Sequence, residues 1–230
     1  MAGLIVLFPA RVAYHWIAPD TVRLSGITGT VWSGTAAEGS FGGVYVSNLT
    51  WRFRPLALLT GKAGYSIAGD PVSGSFAGNV AIGPGGAIHL SDLSARLRIA
   101  AVSSLGMVAG VDGMIDLQFD SLVLRDGLPV RGSGTVQVVD LVARQLSSSP
   151  LGDYRARIRT LKDVVSGEIE DVSGVLDVAG TLELRPDRSY ALIGKVAATD
   201  GAPARVVQQL GYLGSPDANG MRSFRLEGRL

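Results

Sequence analysis

The chain has 230 residues, 47% hydrophobic and 18% charged, with a formal net charge of +1. That balance excludes a disordered chain, which is too poor in apolar residues to fold, and a nucleic-acid binder, which needs clustered cationic charge. With no cysteine (Cys 0), disulfides, thiolate-held zinc, iron–sulfur clusters and cysteine nucleophiles are excluded too. A mean hydropathy of +0.29 means that much apolar surface needs covering.

The apolar run at residues 4–8 stops at Pro9 and Arg11 and is followed by Tyr14, His15 and Trp16. A spanning helix needs about 20 apolar residues, so this run does not cross a bilayer by itself. Arginine beside Tyr and Trp is the composition found at the water-facing end of a membrane helix. Residues 1–19 are read either as the last turn of a membrane anchor with the region just after it, or as an ordinary first strand or helix. A cleaved signal peptide fits worse, because no basic segment and no small-residue cleavage site are present.

From residue 20 onward the chain alternates at period two, the signature of half-exposed antiparallel strands. In 45–53, Tyr45, Leu49, Trp51 and Phe53 are expected on one face, with Asn48, Thr50 and Arg52 on the other. Pro55 ends that strand, and residues 56–59 read as a short turn or helix. Further on, Ala95, Leu97 and Ile99 oppose Ser94, Arg96 and Arg98, and residues 102–109 form a weak helix candidate. Ile115, Leu117 and Phe119 oppose Asp116, Gln118 and Asp120, and Arg155, Arg157 and Arg159 alternate with Tyr154, Ala156 and Ile158. After Leu176, Val178, Leu182 and Leu184 comes the one credible helix. Asp200 is its expected cap, Pro203 sits in its first turn, and Ala204, Val207, Leu210 and Leu213 form its stripe before Gly214. The last strand carries Phe224, Leu226 and Leu230 on its apolar face. Turn signals at 84–86, 125–127, 186–188 and 219–220 separate these runs.

The expected fold is all-β: one large, strongly curved antiparallel sheet, as half-barrel, barrel or sandwich, with one or two short helices. So many one-sided strands cannot be covered by two short helices and must curl on themselves. Residues 20–230 are expected to form one domain. A faint internal repeat (VDGMID at 111–116 with LVLR at 122–125, against VSGVLD at 172–177 with LELR at 182–185) is read either as duplication or as the common look of amphipathic strands. Tyr45, Trp51, Phe53, Leu117 and Phe119 are the candidate lining of an apolar groove, and an apolar inner wall is a place for acyl chains.

Chemistry-bearing motifs are sparse. Neither His15 nor His89 has a second ligand at metal spacing, so no metal site is expected. The sequence GYSIA at 64–68 lacks the last Gly of a nucleophile elbow and lies in a strand-like run. The glycines at 83–86 and at 132 and 134 lack a following helix to aim amides at a phosphate. Asp112, Asp116 and Asp120 recur every four residues, about 13 Å apart along a strand, which is a solvated face rather than a shared site. Asn48 heads a formal glycosylation sequon inside a strand. No catalytic residue and no cofactor are expected.

The stretch LSGITGTVWSGTA at 24–36, then LTWRFRPLALLTG at 49–61, resembles the amino-terminal signature of the type II secretion system protein N family (general secretion pathway protein N). The preceding LFPAR at 7–11 is similar to the way that family leaves its inner-membrane helix, and LGYLGSPD at 210–217 with the last strand also fits. The departure is the missing transmembrane stretch. The resemblance implies a bitopic inner-membrane protein of a Gram-negative bacterium, anchored by an amino-terminal helix, with its bulk in the periplasm. It implies a non-catalytic accessory of the machinery that exports folded proteins, with other type II secretion components as partners. The motif positions Gly26, Gly29, Trp32, Gly34, Trp51, Pro55 and Gly61 are expected to be structural. A different expectation is lipid carriage in the manner of AsmA-like proteins, with phospholipid or lipopolysaccharide acyl chains on the apolar wall.

Overall fold

The computed structural model describes residues 8–17, 22–41, 44–102 and 110–230. Residues 4–7 of the apolar run and 103–109 of the weak helix candidate lie outside them.

Among the described residues fourteen strands form one antiparallel sheet. After the short helix α1 (Ala10–Ile17) come β1 (Val22–Ser25), β2 (Thr28–Gly29), β3 (Ser33–Phe41) and β4 (Val44–Arg54). A 3₁₀ turn (Pro55–Thr60) leads into β5 (Ala63–Pro71), β6 (Ser75–Ile82) and β7 (Ile88–Arg98). The one-turn helix α2 (Ile99–Val102) precedes β8 (Val111–Arg125), β9 (Leu128–Ala143), β10 (Gly152–Leu161), β11 (Val164–Gly174), β12 (Leu176–Leu184) and β13 (Ser189–Ala198). Helix α3 (Ala204–Leu210), a 3₁₀ turn (Gly211–Leu213) and β14 (Arg222–Arg229) complete the chain. From β3 to β14 every strand pairs with its sequence neighbours, while β2 pairs only with β3. The turns make this meander: Asp126 and Gly127, and Lys162 and Asp163, all adopt positive φ, as two-residue hairpins require.

The registers thread one apolar row through the sheet. From β4 to β14 it reads Trp51, Ile67, Gly78, Leu93, Phe119, Gly134, Ile158, Gly167, Leu182, Leu192 and Leu226. Its one polar group, the Trp51 indole N–H, is taken by the Thr30 carbonyl. The neighbouring row on the opposite face reads Thr50, Ala68, Ala77, Ser94, Gln118, Thr135, Arg157, Glu168, Thr181, Ile193 and Arg225. With strands about 4.8 Å apart, the apolar row runs about 48 Å.

The expected alternation is interrupted by bulges. Asn48, Asp92 and Asp140 take positive φ, and the pairing shifts beside each. Each bulge moves the inward residue by three positions, from Val46 to Leu49, from Leu90 to Leu93 and from Val138 to Leu141. Bulges bend and twist a strand. The sheet curves enough for the β8–β9 and β12–β13 turns to enclose a cavity of about 150 Å³ with Asp163 of the β10–β11 turn.

The sheet does not close, which rules out the barrel and the sandwich among the expected forms and leaves one open sheet, as the half-barrel alternative has it. Among the described residues its two ends are β1, paired only with β3, and β14, paired only with β13. Its apolar face is not sealed either. The chain exposes 13826 Å², where a compact monomer of 23.9 kDa exposes about 9,900 Å². Helix α3 covers part of β13 with a different side from that expected: Val206 is 1% exposed, whereas Val207 is 46% exposed and Leu213 is exposed. Pro203, not Asp200, occupies the cap position, with no side-chain cap bond.

Candidate functional site

The motif residues converge on one corner of the sheet. Gly29 pairs with Gly34 across the β2–β3 hairpin, whose turn is held by Thr30: its hydroxyl accepts from the Trp32 and Ser33 amides at 3.3 and 3.2 Å. Gly34 pairs with Trp51, and a β-carbon on Gly34 would strike the indole ring, so only glycine lets the tryptophan lie over the strand. The indole Nε1 donates to the Thr30 carbonyl at 3.1 Å. Trp32 meets Phe53 edge-on at 4.8 Å between ring centres, and Phe53 meets Tyr65 at 5.4 Å. Gly26 and Gly61 take positive φ, the second as the cap of the 3₁₀ turn that Pro55 starts. Every motif residue thus has a packing or turn geometry of its own.

The five groove candidates do not form one cluster. Trp51 and Phe53 share the apolar face with Leu117 and Phe119, but β4 and β8 are four strands apart, about 19 Å along the sheet. Tyr45 is on the other face. The Asn48 bulge reverses the alternation, and Tyr45, 44% exposed, points to Glu38, whose carboxylate pushes the tyrosine hydroxyl's pKa up. The apolar surface is instead the full row described above. Two further glycines carry it under aromatic rings: Phe76 and Phe224 lie over Gly69 and Gly194 of the adjacent strands.

The polar face holds ion pairs. Arg155 and Arg157 both reach Glu170, Arg159 reaches Glu168 at 2.7 Å, and Arg96 grips Asp116 through two bonds of 2.5 and 2.8 Å. Arg98 takes Asp112 at 3.5 Å, so two of the three spaced aspartates serve cross-strand pairs. All these groups are at least partly exposed, where such pairs contribute about 0–1 kcal/mol each. Ser66 donates to Asn79 Oδ1 at 2.8 Å, and Asn79 donates to Asp92 at 2.9 Å. An amide cannot take the serine proton, so this chain of bonds is no nucleophile–base pair. Lys62 Nζ donates to His89 Nδ1 at 3.4 Å; burial, then the lysine charge, hold the imidazole pKa below its usual value. Among the described residues no three metal-ligating side chains come together.

Sequence reasoning missed the sealing of the first edge. Tyr14 of α1 donates to the Val22 carbonyl at 3.1 Å and accepts from the Leu24 amide at 3.0 Å. These are outward-facing backbone groups of β1, and edges with such groups unpaired are templates for foreign strands. The only signal was a lone Tyr in an amphipathic segment eight to ten residues upstream. Among the described residues no helix is long and apolar enough to cross a membrane.

A family model described as type II secretion system (T2SS), protein N, matches residues 20–225. The type II secretion system protein N of Aeromonas hydrophila is 26% identical, over 99% of this chain and 93% of its own length. The protein of the same name from Vibrio cholerae serotype O1 is 25% identical, over 100% of this chain and 94% of its own length. No solved structure is significantly similar to the chain. The aromatic corner around Trp51 and the open sheet are therefore features of a member of the type II secretion system protein N family, to which this chain belongs.

Proposed function

We propose that this secretion-system component is a non-catalytic accessory that helps to assemble the exporter. In this reading its sheet stands in the periplasm, and an amino-terminal helix anchors the native protein in the inner membrane. The observation that carries it is the asymmetry of the two edges: Tyr14 caps β1, whereas among the described residues β14 pairs only with β13. Residues 222–229 are thus the strand on which a partner adds its own, the backbone supplying affinity and alternate side chains specificity. A photo-crosslinker placed in turn at Ser223, Arg225 and Glu227 is expected to capture other type II secretion components in the living cell. Capture from β1 positions but not from β14 would overturn the assignment, as would no capture at all.

A second reading is favoured by the uninterrupted apolar row: the sheet holds acyl chains of phospholipid or lipopolysaccharide. A chain without polar groups suits a row whose one polar group, the Trp51 indole N–H, is already bonded to Thr30. Organic extraction of the pure protein is expected to release stoichiometric lipid; an empty extract contradicts this reading and leaves the first untouched.

A further inference from the structure

The 3₁₀ turn between β4 and β5 holds apolar side chains out into water. Leu56, Leu58 and Leu59 are 76%, 57% and 83% exposed. Single exposed leucines are ordinary, but three within six residues are a concentrated apolar surface. The turn that presents them is braced. Pro55 fixes its start, the Gly61 amide donates to Leu58 at 2.9 Å, and the Lys62 amide and Thr60 hydroxyl donate to the Ala57 carbonyl at 3.2 and 2.8 Å. Ala57 packs against Gly64, so the leucines are held away from the sheet by the residue between them.

The charge around the turn has one sign. Arg52, Arg54 and Lys62 flank it, and no Asp or Glu occurs between Glu38 and Asp70. Beside it lies an open groove of about 620 Å³, to which Arg54, Lys62 and His89 contribute and no carboxylate does. The chain also arrives at this end of the sheet: the Val31 amide donates to Phe8 at 3.1 Å, and the Phe53 amide to Trp32 at 2.6 Å. Phe8 closes the apolar run of residues 4–8.

We propose that the Pro55–Thr60 turn is a membrane wedge: Leu56, Leu58 and Leu59 enter the headgroup–acyl boundary of an anionic bilayer while Arg54 and Lys62 take lipid phosphates. Protruding apolar side chains ringed by cations are what interfacial binding uses, burial and electrostatic attraction acting together. The wedge sets the end of the sheet bearing the β4–β5 turn against the membrane. It does not depend on strand addition at β14, so failure of either leaves the other standing.

The chain has no cysteine, so an environment-sensitive fluorophore can be placed on Leu59→Cys alone, with Ser148→Cys in the exposed β9–β10 loop, at the opposite end of the strands, as control. Mixed with phosphatidylethanolamine–phosphatidylglycerol vesicles, the probe at 59 is expected to shift to the blue and the probe at 148 to stay unchanged. Adding Arg54→Gln and Lys62→Gln should weaken the response at 59 about tenfold or more, with the circular dichroism spectrum unchanged. No shift at 59, equal shifts at both positions, or an undiminished response in the charge variant would overturn the proposal. So would a shift produced equally by inorganic phosphate without vesicles.

Discussion

The Tyr14 hydroxyl spans Val22 and Leu24, taking the carbonyl of one and the amide of the other. A single side chain from α1 thereby takes two groups of the first edge of a sheet whose last strand, among the described residues, pairs only with β13. Removing the hydroxyl in Tyr14→Phe deletes two partly buried hydrogen bonds, a loss of about 1–2 kcal/mol. The Leu24 amide is then expected to exchange with deuterium faster, with amides of β8 and β9 unchanged. Unaltered exchange at Leu24 would show that α1 does not cap this edge in solution.

Trp51 and Gly34 form the matching relationship on the apolar face. Trp51 is only half-buried, so Trp51→Ala is expected to destabilise by about 2–3 kcal/mol, below the usual range for a sealed tryptophan. Trp51→Phe keeps most of the ring but loses the bond to Thr30, and should cost about 1 kcal/mol. Equal melting temperatures for the two variants would mean that the ring contributes nothing by lying over Gly34.

Burial, then the nearby Asp171 and Asp153, push the Tyr154 hydroxyl up to about 12. A raised tyrosine pKa favours the neutral folded form. Its contribution is fully present below the unfolded value of about 10 and is lost as pH rises through the folded value. Absorbance at 295 nm should show one tyrosine ionising near pH 12, and Tyr154→Phe should remove that step. The same variant should flatten the fall in stability between pH 10 and 12. A Tyr154 that titrates with the exposed tyrosines would contradict its placement against the sheet.

The amphipathic character of the sheet was legible because side chains alternate along each strand. Arg155, Arg157 and Arg159 opposite Ile158 needed no tertiary information. The face of Tyr45 was not legible by the same rule, because Asn48 inserts a bulge between it and Trp51. The trace of such bulges is present in the sequence as an Asp or Asn where apolar spacing jumps from two to three, as in Leu90, Asp92 and Leu93. Helix α3 was legible from Pro203, its apolar spacing and the Gly214 stop, although Asp200 is not its cap; which side it buries depends on β13, and Val206 rather than Val207 meets the sheet. Closure was beyond the sequence altogether, since it depends on whether β14 finds β1. The corner motif was readable as a family signature, yet its physical basis, an indole over a glycine, needed the register of β3 and β4.

The assembly role is tested most directly by deleting the gene in frame in the source bacterium and assaying a type II substrate in the medium and the periplasm. The substrate is expected to accumulate in the periplasm, and secretion to return with the anchored full-length protein. Normal secretion in the deletion strain, with the substrate in the medium at the wild-type level, would contradict it.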